Sequence, residues 1–93
     1  MIPSLDDVLS EIHSLDVREA ARRFQPKYTL VIVSRRGVDE LIKYKRVPEF
    51  SEILAEVSKV KGRRGFIASA EMYPTREELE SRIEKSLAEI KEG

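Results

Sequence analysis

An α+β (α/β-type) fold around a three-stranded mixed sheet is predicted by three observations. An apolar, β-branched run, Tyr28-Thr29-Leu30-Val31-Ile32-Val33, is hydrophobic on both faces, as a central strand must be. Two stretches repeat apolar residues at helical spacing: Phe50, Ile53, Leu54, Val57 and Val60, then Leu79, Ile83, Leu87 and Ile90. An Arg-Arg-Gly tripeptide occurs twice, at Arg35-Arg36-Gly37 after the first run and at Arg63-Arg64-Gly65 before Phe66-Ile67-Ala68-Ser69-Ala70. The predicted order is α-β-β-α-β-α, with the first strand central and helices mainly on one face.

The first element is a helix in two pieces over residues 4–24. Leu5, Val8, Leu9 and Ile12 share a face, Ser4 is placed to cap, and Asp6 and Asp7 suit the positive end of the helix dipole. Asp16 with Glu19 repeats a capping box, and Leu15 and Ala20 form a small staple across it. A break is therefore expected near residues 14–16, with helix resuming to about Phe24 before Pro26. A strand follows over 28–34.

Residues 38–46 carry two readings. As a strand they complete a hairpin, with Gly37 in the left-handed position that closes a three-residue loop. As a helix they run from Asp39 and Glu40 to Lys45 and Arg46, which complements the dipole, and leave a two-stranded sheet to be completed by dimerisation. The hairpin is preferred. Pro48 then opens a helix over 49–61 that Gly62 stops, residues 65–72 form the third strand, and Thr75 with Glu78 caps a final helix running to about Glu92.

The bulk composition bounds the class. With 93 residues there is room for one domain, covering 1–93, that buries roughly two-thirds of the surface it exposes when unfolded. Cysteine is absent, which removes disulfides, thiolate catalysis and cysteine-ligated zinc. The opening residues lack a signal-peptide pattern and no apolar run approaches a membrane span, so a cytoplasmic location is the expectation. Asparagine is absent and Gln25 is the single glutamine, while Glu, Lys and Arg abound, a bias expected of a thermophile.

Net charge is zero, but it is segregated. Residues 1–26 hold three basic and five acidic side chains (−2), residues 27–64 ten and five (+5), and residues 65–93 four and seven (−3). The basic block contains both Arg-Arg-Gly elements. Adjacent guanidinium forks beside a glycine suit phosphate, because arginine donates in pairs and glycine lets the backbone come close. A strand–helix–strand crossover makes the second and third strands parallel, so the first, antiparallel to both, ends where the third begins. Arg35, Arg36, Arg63 and Arg64 then meet at one end of the sheet, helped by Lys61. Lys43-Tyr44-Lys45-Arg46 interleaves an aromatic with cations, and Tyr44, Lys45 and Arg46 extend this surface as a stacking platform for RNA or DNA. The ordinary explanations are solvated turn arginines paired with glutamates, and an edge strand protected by lysines.

His13 has no second ligand or serine partner nearby in sequence, and no cofactor is expected from the residues themselves. The final helix is dense in charge with a narrow apolar stripe, which fits either its own sheet or a second subunit, so a homodimeric interaction module is the rival functional class. Ser34-Arg35-Arg36-Gly37-Val38-Asp39, after a helix and a strand, also resembles the region of archaeal Holliday-junction resolvases and related nucleases that supplies a metal-binding aspartate. Those families follow it with a strand bearing Glu-x-Lys; the counterpart here, Glu56-Val57-Ser58-Lys59, is one residue longer and falls in a helical pattern. That resemblance implies metal-dependent cleavage through Asp39.

Overall fold

A computed structural model describes residues 2–13 and 28–92. The second helical piece expected over 16–24 lies outside the described residues. The described elements are α1 (Leu5–His13), β1 (Tyr28–Ser34), β2 (Gly37–Tyr44), α2 (Phe50–Val57), β3 (Arg64–Ala68) and α3 (Arg76–Glu92). Residues 38–44 are therefore strand, which removes the helical alternative.

β1 is central in the order β2-β1-β3 and antiparallel to both neighbours. The second and third strands run in the same direction but never touch, so both ladders of the sheet are antiparallel. The hairpin joins β1 to β2 through two residues, Arg35 and Arg36, not three, with Ser34 opposite Gly37 and Gly37 at φ +113°. A bulge interrupts this ladder: Val33 faces Val38 and Ile32 faces Glu40, leaving Asp39 as the extra residue. A bulge turns two consecutive side chains the same way, which sets Asp39 beside Glu40.

Residues 29–33 are all buried, so β1 is covered on both faces as its sequence requires. On one face Val31, Val33, Val38, Phe66 and Ala68 pack against Val8 and Ile12 of α1 and Leu79, Ile83 and Ile90 of α3. On the other, Leu30 and Ile32 are completely buried, and α2 approaches β3 there. The approach depends on Gly65. A Cβ at that position would stand 2.8 Å from Val57 Cγ2 and 3.1 Å from Leu30 Cδ1, closer than a side chain allows.

The caps act as their sequences predict. Ser4 Oγ accepts the Asp7 backbone N–H, Asp7 Oδ2 accepts that of Ser4, and Thr75 Oγ1 accepts that of Glu78. Two boundaries differ from expectation. α2 stops at Val57, and its apolar stripe contributes no buried residue. β3 stops at Ala68, because Ser69 folds the chain back: its hydroxyl accepts the Met72 N–H and its carbonyl that of Tyr73. The stripe of α3 is spent within the chain. Leu79, Ile83 and Ile90 are buried and Leu87 packs beside them, so this helix offers no free apolar face to a second subunit.

Candidate anion-binding site

The register settles which cations meet. β1 ends at Ser34, opposite Gly37, and β3 begins at Arg64, opposite Val33. The hairpin tip with Arg35 and Arg36 therefore lies at the same end of the sheet as Lys61, Arg63 and Arg64. Arg35, Arg36, Lys61 and Arg63 line one open cleft of about 800 Å³, together with Asp39 and the apolar side chains of Ile2 and Val60. Arg64 is exposed on β3 and is not part of the lining.

The cations of this rim differ in what holds them. Arg63 is mostly buried, with Nε 3.3 Å from Asp39 Oδ2 and Nη1 3.8 Å from Glu40 Oε2. Ser34 Oγ donates to Asp39 Oδ1 at 2.7 Å and accepts the Arg36 N–H at 3.2 Å. Arg63 thus anchors the start of β3 to the bulge in β2, and its charge is balanced by two carboxylates. Asp39→Ala is expected to lower stability by about 1–3 kcal/mol, because a mostly buried guanidinium is deprived of its closest partner. A drop in melting temperature of roughly 5–20 °C by circular dichroism checks this.

Arg35, Arg36, Lys61 and Arg64 have no side-chain hydrogen bond or ion pair to any described residue. Arginines elsewhere in the described chain are engaged. Arg46 donates to Glu52 at 2.6 Å, Arg76 bridges Asp6 and Glu80, and Arg82 donates to Ser86 while its guanidinium lies 4.6 Å from the centre of the Phe66 ring. The glutamate-paired alternative thus applies to Arg63 and Arg46 but not to Arg35, Arg36 or Arg64.

Tyr44, Lys45 and Arg46 do not extend this surface. Tyr44 pairs with Tyr28 at the opposite end of the ladder, about 20 Å along the strand from the hairpin tip. The phenol is held above its ordinary pKa, first by exclusion of water and then by Glu56 and Glu52, so Tyr44 faces α2. Arg46 lies beyond the strand, and its hydrogen bond to Glu52 raises its own pKa.

His13 Nε2 lies 2.8 Å from the Tyr73 carbonyl oxygen, a tie between α1 and the turn after β3. Glu56 and Lys59 form an ion pair of 2.8 Å at the end of α2, so the strand-borne Glu-x-Lys of the nucleases has no counterpart at these residues. Among the described residues, no group of three or more His, Asp or Glu side chains is placed to hold a metal ion. No described helix is long and apolar enough to cross a membrane.

Sequence reasoning misses the roles of Ser34 and Asp39 in fixing Arg63. The signal available is a serine three residues before Gly37 with an acid two residues after it, a spacing that brings the groups together only through the bulge. Sequence and structure together define a small α+β domain with a cationic cleft at one sheet end. No known protein family, no curated protein and no solved structure matches the chain.

Proposed function

We propose that this domain binds a polyanion, RNA or DNA, through the rim formed by Arg35, Arg36, Lys61 and Arg64, with Arg63 as its structural anchor. One observation carries the reading: the three described arginines without a side-chain partner are Arg35, Arg36 and Arg64, and all belong to the rim. Arg35 and Arg36 line one cleft with Lys61, and leaving these cations unpaired on a shared surface costs repulsion, which a bound phosphate chain removes. The +5 balance of residues 27–64 supports the same reading.

Binding, not catalysis, is the proposed role. The protein holds mainly phosphate, so affinity depends weakly on sequence and strongly on salt. Three or four bound phosphates give a slope near −3 when log affinity is plotted against log salt. Fluorescence anisotropy with short RNA and DNA, starting at low salt, tests this, and absence of binding there overturns the proposal.

A further inference from the structure

The cationic cleft is not lined by cations alone. Ile2 is 44% exposed and Val60 52%, and both stand in its wall together with Ile90 of α3. Neither Ile2 nor Val60 belongs to the hydrophobic core, so the fold gains little by holding them there. Ile90 comes from the side of the sheet covered by α1 and α3, and Val60 from the chain just after α2. The cleft thus gathers apolar side chains from separate parts of the chain and sets them among Arg35, Arg36 and Lys61. Its one carboxylate, Asp39, is balanced by Arg63 and does not repel an anion. At about 800 Å³ the cleft has the size of a ligand site, not of a flat contact.

We propose that the cleft selects single-stranded over double-stranded nucleic acid: Arg35, Arg36 and Lys61 hold phosphates, and an unstacked base lies against Ile2 and Val60. The inference rests on the polyanion binding proposed above and adds which form of nucleic acid is bound. A duplex offers a protein its phosphates and sugars while its base faces stay stacked inside, so the apolar wall gains nothing from it. A single strand turns a base outward, and the flat face of that base covers apolar side chains that water otherwise wets. Ser34 and Asp39, the remaining polar side chains of the lining, are bonded to each other, and Asp39 also to Arg63. Neither is left to read a base edge, so the seat accepts any base.

Fluorescence anisotropy tests this with labelled strands of about 12 nucleotides, in RNA and in DNA, each alone and paired with its complement. Strands of equal length built of abasic nucleotides keep the phosphates and lack the bases. At about 0.15 M salt the base-bearing strand is expected to bind roughly tenfold tighter than the duplex or the abasic strand. The preference over the duplex should widen as salt rises, because each duplex phosphate contact carries the steeper slope, about −0.9 against −0.7. Ile2→Ser and Val60→Ser should each weaken the base-bearing strand about three- to fivefold at every salt concentration, with an unchanged log–log slope. Neither substitution should alter binding of the abasic strand or the duplex. Both positions are exposed and outside the core, so the melting temperature should stay close to wild type. If neither strand nor duplex binds even at low salt, the polyanion reading itself fails. If the duplex or the abasic strand binds as tightly as the base-bearing strand, or both substitutions leave that strand's affinity unchanged, the single-strand inference is overturned while the rim stands as a phosphate surface.

Discussion

Replacing Arg35, Arg36, Lys61 and Arg64 together by alanine is expected to abolish most of the salt dependence of nucleic-acid binding. Each phosphate that the variant no longer neutralises takes about 0.7–0.9 off the log–log slope, so a wild-type slope near −3 should fall towards zero. A slope of −3 makes wild-type affinity drop roughly 60-fold between 50 and 200 mM salt. The variant should bind weakly at 50 mM and barely change above it. Its fold should persist, because none of the four side chains has a hydrogen bond or ion pair to a described residue. Arg63→Ala supplies the contrast. It removes a partner of Asp39 and Glu40, so its effect should appear chiefly in the melting temperature and less in the slope. Anisotropy titrations across salt, run beside thermal melts, separate the two outcomes. If the fourfold variant retains the wild-type slope, the rim is not the binding surface.

Leu79→Ala should produce the largest drop in stability from a single truncation. Leu79 is completely buried in the first turns of α3, between the sheet and α1. Removing its branched end costs the transfer energy of the deleted atoms plus a cavity the surroundings fill only in part, together about 2–5 kcal/mol. For a domain this small, each kcal/mol shifts the melting temperature by about 4–8 °C, so a fall on the order of 10–40 °C is expected. Thermal unfolding followed at 222 nm measures it. Leu54→Ala on α2 is the control: the same atoms removed from an exposed position should move the melting temperature little.

Periodicity reads most of the architecture correctly, and its errors have physical causes. The run 28–33 and the capped final helix are legible because hydrophobic pattern and cap chemistry agree there. Residues 38–46 are ambiguous because Asp39, Glu40, Lys45 and Arg46 complement a helix dipole, while Val38, Leu41 and Ile42 pack on a sheet; tertiary packing decides in favour of the sheet. The stripe on α2 has the spacing of core. Spacing identifies an apolar face but cannot say how much of it another element covers, and Gly65 admits only the Val57 side. The meeting of the two Arg-Arg-Gly elements follows from topology, whereas placing Tyr44, Lys45 and Arg46 beside them treats closeness in sequence as closeness in space. The antiparallel register separates them. The fixed state of Arg63 is not legible, because it depends on a one-residue bulge that no local pattern announces.

The carboxylates at the bulge, Asp39 and Glu40, take their cationic partner Arg63 from a strand distant in sequence, and that separation has a consequence for folding. The β1–β2 hairpin closes over two residues and needs only local chain, whereas β3 must return across about 30 residues of sequence, a slower and entropically dearer closure. Until β3 docks, the hairpin tip carries Arg35 and Arg36 against Asp39 and Glu40, which is electrically neutral and offers nothing to a phosphate. Docking delivers Arg63 to those two carboxylates. The acids are then satisfied internally, and Arg35 and Arg36 are left as net positive charge. Completion of the sheet and the appearance of a net positive surface at this end of it are thus one event, and under the proposed function a chain stalled at the hairpin is expected to bind nucleic acid more weakly than the folded domain.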